Sequence, residues 1–387
     1  MCPLNEIPIT DFSPENIQTL SEENRSALFT QASIGPKVIK NRIALAPMTR
    51  VSAEEAGDAN SRMQAYYEVF AEGGFGLLTT EGLYTDTEHS QGYAYQPGMA
   101  TKGHSETWKP IIEAIHGYGA QIFAQLMHAG SHSQANRYAT TTIGPSAVMP
   151  KGDQLGMYRG KGNYKVPVEI TKLQMAEVRR TFVASALLAK DAGFDGLEIH
   201  GANGYLLDEF LTDYLNVRTD EYGGSPQNRV RFVQEICEDI RAAVGDDIAV
   251  GIRISQAKVS DNDHRWSGTS EEAQVIFEAL GAAGIDFIHT AEYRAHGPAF
   301  DDGDESLASL AKRHSGCAVI ANGNLDNPVD AAELLRSGSA DLIALGKPAL
   351  ANRNWPQRVL SGEPISFELA HDQFAPLANV KDWELKS

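Results

Sequence analysis

His200, Asn203 and Tyr205 fall within six residues of one another, in the run Leu-Glu-Ile-His-Gly-Ala-Asn-Gly-Tyr-Leu-Leu-Asp from Leu197 to Asp208. A short apolar stretch, Gly196 to Ile199, leads straight into the histidine, and glycines at 201 and 204 let the backbone turn behind it. An imidazole and a carboxamide that can donate hydrogen bonds thus leave a strand end beside a phenol that can give up a proton. A phenol of ordinary pKa, near about 10, is protonated at neutral pH. The grouping suits holding a carbonyl oxygen while a neighbouring carbon is protonated. On its own, the stretch could also be a plain strand terminus with a satisfied histidine and a loop glycine.

The rest of the chain supplies a frame for these residues. Apolar runs occur at Ile43–Ala46, Gly76–Thr79, Gln121–Gln125, Gly196–Ile199, Ile248–Ile254, Asp286–Ile288, Ala318–Ala321 and Asp341–Ala344. Most are near-continuous rather than alternating, as buried parallel strands are. Helical spacing separates them, most clearly over Leu173–Ala192, and also over Pro226–Val244, Ser270–Ala283 and Pro328–Leu335. Ala-Gly-Phe-Asp at 192–195, Ala-Gly-Ile-Asp at 283–286 and Gly-Ser-Ala-Asp at 338–341 repeat one device: a helix end, a glycine cap, then an Asp opening the next strand. Eight strand-then-helix units predict an α/β fold, a (β/α)8 TIM barrel. Two short runs around Ile34-Gly35-Pro36-Lys37 predict an N-terminal hairpin. The long connection from Leu126 to Ile170 predicts a lid-like loop after the third strand. A doubly wound dinucleotide fold would want a Gly-x-Gly-x-x-Gly turn, and the chain has none. The expected division is an arm over 1–26, the barrel over 27–362 and a tail over 363–387.

In such a barrel the chemistry sits at the C-terminal ends of the strands. Those ends carry Pro47-Met48-Thr49-Arg50, Glu81-Gly82, Gln125 with His128, His200 with Asn203, Arg253, Glu292, Asn322-Gly323-Asn324 and Gly346-Lys347. Glycines beside a cation at the last two strand ends suit a phosphate. Composition narrows the partners. The 51 acidic residues against 33 basic ones, with no basic stripe, make nucleic acid an unsuitable partner. Cys2, Cys237 and Cys317 are widely spaced, without Cys-x-x-Cys, so neither a disulfide framework, a zinc ribbon nor an iron–sulfur cluster is indicated, and no metal is expected. No secretory leader or membrane-length apolar stretch is present, which predicts a cytoplasmic protein acting on a small molecule, as a monomer or homodimer.

Taken together, the chain resembles the Old Yellow Enzyme family of flavin-dependent ene-reductases, also called NADH:flavin oxidoreductases, over roughly residues 27–358. The stretch Glu198–Arg231 carries the resemblance most specifically: the His-Gly-Ala-Asn-Gly-Tyr-Leu-Leu-Asp-Glu-Phe-Leu run, Arg-Thr-Asp-Glu-Tyr-Gly-Gly-Ser, and Asn228-Arg229. Asn41-Arg42 through Arg50, Thr80-Glu81-Gly82, Trp108-Lys109-Pro110, Gln125-Leu126 with His128-Ala129-Gly130, and Gly251-Ile252-Arg253 add to it.

The resemblance implies FMN held noncovalently at the barrel mouth, with NADPH or NADH as hydride donor. By matching positions, Ala46, Pro47, Met48 and Thr49 would line the isoalloxazine, with Thr49 on O4. Gly82 and Gln125 would meet the pyrimidine side and Arg253 the N1–O2 edge. Gly323, Asn324, Gly346 and Lys347 would hold the phosphate. His200 and Asn203 would bind the substrate's activating oxygen, and Tyr205 would be the proton donor. The implied reaction is ping-pong reduction of the C=C bond of an α,β-unsaturated carbonyl or nitro compound. A flavin-binding protein with vestigial reductase activity is the alternative. The larger dienoyl-CoA reductase type, with an iron–sulfur cluster and a second nucleotide domain, does not suit the cysteine count or the chain end at 387. A metal-dependent barrel hydrolase would want a His-x-His at the first strand end, where Pro-Met-Thr stands. Three departures stand out. Lys347 replaces the family's usual Arg. Met127 replaces a common Trp and is expected to open space beside the substrate. Ser366–Trp383, with Phe374 and Pro376, replaces the usual C-terminal aromatic run.

Overall fold

The computed structural model describes residues 20–301 and 303–385. Most of the expected arm therefore lies outside the described residues; what is described of it leads into a helix, Glu22–Phe29. Eight parallel strands close on themselves: β1 (Ile43–Leu45), β2 (Leu77–Thr79), β3 (Gln121–Met127), β4 (Gly196–Asn203), β5 (Ala249–Lys258), β6 (Phe287–Ala291), β7 (Ala318–Asn322) and β8 (Leu342–Leu345). Each pairs with its chain neighbours, and β8 returns to β1, so the TIM barrel is complete. All eight apolar runs became strands. Six of them run on past the apolar stretch, β4 and β5 furthest, by four residues each to Asn203 and Lys258. The β4 extension carries His200 and Asn203 of the site, and the ladder between β4 and β5 shifts register between Ile254 and Lys258.

Helices separate the strands, including Lys172–Ala192, Pro226–Val244, Thr269–Ala282 and Pro328–Arg336. Lys172–Ala192 opens on a reciprocal cap between Thr171 and Gln174 and stops at Gly193, whose φ of 101° few other residues adopt. The recurrent Asp after each helix end proves to be a register device. Asp195 accepts the N–H of Ile122 at 2.9 Å, Asp286 that of Val250 at 2.8 Å and Asp341 that of Val319 at 2.7 Å. In each case the acceptor opens one strand and the donor lies on the preceding one.

Inside the barrel, Phe123 and Phe287 lie 5.4 Å apart between ring centres and plug the interior with Ile320 and Leu342. A Cβ on Gly251 would come within 2.3 Å of the Phe287 ring, so only glycine fits there. The hairpin forms as Ala32–Ile34 against Lys37–Ile39, and its Ile34 and Ile39 join the same cluster. The opposite end stays open. Over it fold the long loop after β3, which holds a short strand pair of Ile143–Gly144 and Val168–Glu169, and the C-terminal segment. The two are stitched together where the Ala378 N–H donates to the Met157 carbonyl at 3.0 Å. No helix among the described residues is long and apolar enough to cross a membrane.

Candidate active site

A cavity of about 710 Å³ opens at the C-terminal ends of the barrel strands, a size that holds a small organic cofactor or substrate. Of the residues singled out from sequence, Ala46, Pro47, Met48 and Thr49 form one wall, Gln125 and Arg253 the floor, and Gly323, Asn324, Gly346 and Lys347 the far end. His200, Asn203 and Tyr205 line it too.

The floor is a polar layer set directly above the aromatic plug. Register explains it. Gln125 pairs across the ladder with Glu198, and two residues further along β4 His200 stands level with Arg253 and, one strand on, His289. Period-two alternation therefore turns Glu198 and His200 the same way. Glu198 is fully buried; Gln125 Nε2 donates to one of its oxygens at 2.7 Å and His289 Nδ1 lies 2.7 Å from the other. Burial alone would raise the Glu198 pKa, but His289, Arg253 and Gln125 hold it below the ordinary value, so the floor carries a carboxylate. Arg253 donates through Nη2 to Asn322 Oδ1 at 2.9 Å, while its Nε is buried without a partner. His200 is held neutral: burial, then the charges of Arg253 and His289, push its pKa well below the usual imidazole range. A neutral imidazole donates from one nitrogen only.

Asn203 sits in the left-handed region at φ 64°, which Asn tolerates better than most residues, with its N–H on Ser255 Oγ at 2.8 Å. The Gly204 N–H donates to Asp208 at 2.6 Å, and Asp208 is in turn paired with Lys258, both side chains fully buried. That pair anchors the turn presenting Tyr205, whose ring meets His200 edge-on at 4.9 Å. Burial pushes the Tyr205 pKa above that of an ordinary phenol, so the hydroxyl keeps its proton more firmly than sequence suggests.

The wall carrying Thr49 is braced from behind by Glu81. Its carboxylate accepts the N–H groups of Arg50 at 2.9 Å and Val51 at 3.0 Å, Val51 being held at φ 40°. Burial lifts this carboxyl pKa to about 7 against the pull of those two donors. At the far end, Gly323 has φ 147° and a Cβ there would meet the Glu292 carbonyl at 2.1 Å, so a side chain is excluded. A Cβ on Gly346 would find no atom nearer than 3.7 Å, which leaves the backbone open to an occupant. Lys347 is exposed and forms no ion pair among the described residues. A cation and a carboxamide on the floor, a second cation at the far end and bare glycine backbone beside it fit a flat phosphorylated cofactor such as FMN. No group of three or more His, Cys, Asp or Glu side chains among the described residues is placed to hold a metal.

Two sequence-derived site residues are not on the cavity surface. Met127 shares the Gln125 face of β3 but is only 1 % exposed, clustered with Val51, Tyr93, Ala129 and Tyr205. Gly82 lies against it: a Cβ there would come 2.4 Å from the Met127 Sδ. The loop after β2 covers this end of β3, so Met127 is packed in this cluster and off the cavity surface, not beside the substrate as the resemblance implies. Met127→Trp is accordingly expected to overpack this layer and lower stability by roughly 1–3 kcal/mol. Unfolding in urea checks it; unchanged stability together with a narrowed substrate range would return Met127 to the pocket wall.

Sequence reasoning missed Tyr93, whose hydroxyl lies 2.6 Å from that of Tyr205, and Tyr158, which lines the cavity and donates to the Thr49 carbonyl at 3.3 Å. The glycine- and proline-flanked run Gln91–Gly98 was a signal for the first; the length of the loop after β3 pointed to the second without naming a residue. Phe367 and Phe374 of the tail complete the rim.

The family model described as NADH:flavin oxidoreductase / NADH oxidase matches residues 27–365. The chain is 33% identical over 347 residues to 12-oxophytodienoate reductase 2 of Arabidopsis thaliana, covering 88% of this chain and 90% of that one. It is 33% identical over 344 residues to an NADH oxidase of Thermoanaerobacter brockii, covering 87% of this chain but spanning only 51% of that longer protein. Among solved structures, the old yellow enzyme homologue from Zymomonas mobilis superposes with a TM-score of 0.82 at 28% identity, over 92% of this chain and 98% of the other.

Proposed function

The chain belongs to the NADH:flavin oxidoreductase / NADH oxidase family, FMN-dependent enzymes drawing hydride from NAD(P)H, and from that premise we propose that it reduces the activated C=C bond of α,β-unsaturated carbonyl or nitro compounds. One observation carries the reading: a neutral imidazole, a carboxamide and a protonated phenol, from one strand end and the turn after it, line one cavity.

FMN, when bound, supplies a carrier that takes hydride from the nicotinamide and passes it to the substrate carbon. Everything else falls to side chains. His200 and Asn203 donate to the substrate's carbonyl or nitro oxygen, where negative charge develops. Neutrality of His200 favours this, since a neutral donor does not surrender its proton to that oxygen. Tyr205 gives its proton to the carbon beside the activating group. Arg253 supplies positive charge on the floor, and Lys347 would meet the phosphate at the far end. Lysine lacks the bidentate fork of the more usual arginine, so that contact is a point charge. Two free buried cysteines, Cys237 and Cys317, are compatible with a cytoplasmic setting.

The test is a visible spectrum. Purified protein is expected to be yellow or to take up FMN stoichiometrically, to bleach with NADH or NADPH under argon, and to recover its colour on addition of cyclohexenone. Failure to bind FMN would remove the reading altogether; bleaching without recovery on any enone or nitroalkene would leave a flavoprotein without this activity.

A further inference from the structure

We infer that Tyr93 is a positioning residue for proton delivery: its hydroxyl donates to the Tyr205 oxygen, aims the single Tyr205 proton into the cavity, and supports the charge left on that oxygen when the proton departs. The inference rests on Tyr205 being the donor of the proposed reaction.

The contact allows either phenol to donate, and the donor role of Tyr205 leaves one assignment consistent with it. The two hydroxyl oxygens are 2.6 Å apart, and Tyr93 has no other hydroxyl partner among the described residues. Each phenol has one proton. Were Tyr205 to donate to Tyr93, it would have nothing to give a substrate. Tyr205 lines the cavity, whereas Tyr93 is fully buried behind it. The reverse bond, from Tyr93 to Tyr205, satisfies both groups and frees the Tyr205 proton for the cavity. Tyr93 is also fixed well enough to aim. Its ring packs at 4.7 Å on Tyr158 and edge-on at 6.5 Å on Tyr205, and its loop is closed by Gln96, whose Nε2 donates to the Gly82 carbonyl at 2.7 Å.

The step balances simply. The Tyr205 O–H bond breaks, a C–H bond forms from the substrate carbanion's electron pair, and the O–H pair stays on the Tyr205 oxygen. Tyr93 keeps its own proton throughout. Its hydrogen bond goes from a neutral acceptor to an anionic one, and charge-assisted bonds are roughly twice as strong. It therefore stabilises the transition state more than the ground state, which is what raises a rate. The directions of the pKa shifts agree: burial raises both phenols, while the Tyr93 hydrogen bond lowers Tyr205 and that same bond raises Tyr93. After product leaves, Tyr205 recovers a proton from water entering the cavity.

The experiment is stopped-flow on the FMN-loaded protein. Tyr93→Phe is expected to leave reduction by NAD(P)H unchanged and to slow reoxidation by cyclohexenone about 10- to 100-fold, as for a hydrogen bond to a charged group. Hydride uptake by a nitroalkene, whose reduced anion is stable without a proton, should not change. In a Tyr205→Phe background the same substitution should add nothing, because its partner is gone. Equal slowing in both backgrounds, or slowing of the NAD(P)H step as well, would make Tyr93 merely structural and overturn the inference; so would a wild-type rate in Tyr93→Phe. A wild-type rate in Tyr205→Phe alone would instead overturn the donor assignment. Tyr93→Met, which also removes the hydroxyl, repeats the test if the phenylalanine variant does not retain FMN.

Discussion

Tyr205→Phe is expected to slow reoxidation of the reduced protein by an enone roughly 10²- to 10⁴-fold, the usual range for general acid catalysis, while leaving reduction by NAD(P)H nearly intact. The asymmetry follows from the site. Hydride transfer from nicotinamide requires no proton from the protein, whereas protonation of the carbon does. The other groups lining this cavity are poor substitutes. His200 is neutral and is proposed to be engaged on the substrate oxygen, and Asn203 does not ionise in this range. Removing the Tyr205 oxygen leaves the phenols of Tyr93, buried behind the missing one, and Tyr158, whose proton goes to the Thr49 carbonyl. Because burial raises the Tyr205 pKa, the wild-type rate should show no loss of the donor as pH rises towards about 10, where an ordinary phenol would begin to ionise. Rapid-mixing measurements of the two half-reactions decide it: equal slowing of both, or of neither, would move the donor role to another residue.

The second large effect lies away from the chemistry. Glu384→Ala is expected to destabilise the protein by roughly 3–5 kcal/mol, the cost of leaving a buried charge unpaired. Arg50 follows directly on the wall residue Thr49, and its guanidinium is wholly inaccessible. Two of its nitrogens meet the two Glu384 oxygens at 2.7 and 2.6 Å, and Nε donates to the Ala378 carbonyl at 2.9 Å. The same Glu384 carboxylate also accepts from Gln373 and from the Lys381 N–H, so one group ties the tail to the barrel mouth. Losing it should free Phe374 and Phe367 from the rim as well, widening the range of enones accepted. The paired change Arg50→Met with Glu384→Leu should cost less than Glu384→Ala alone, since no charge remains buried. Urea unfolding monitored by circular dichroism measures both. A Glu384→Ala protein within about 1 kcal/mol of wild type would mean that the tail is held by other contacts.

The barrel itself was legible because its signal is local and repeated. Eight apolar runs, helices between them and an Asp after each of three helix ends depend on neighbours in sequence, and period and capping express such neighbours directly. The strand-end residues were legible for the same reason: once the fold is a barrel, the C-terminal end of every strand points to one mouth. His200, Asn203, Tyr205, Arg253 and Gln125 therefore reached the cavity as their positions implied.

Other features depended on contacts between segments far apart in sequence. Met127 has the strand parity of a cavity residue, and only the loop folded over β3 makes it core. Tyr93 stands 112 positions from Tyr205, yet their hydroxyls touch. Glu384 reaches Arg50 across 334 positions. Nor does a carboxylate's sequence show that Glu81 will be stripped of water and hold two backbone donors, or that Glu198 will keep its charge beside His289. Residue type and period thus determined the frame and which side chains lead to its mouth. Burial, long-range pairing and the electrostatics they create, which belong to three-dimensional neighbours, decided which of those side chains see the cavity and in which protonation state.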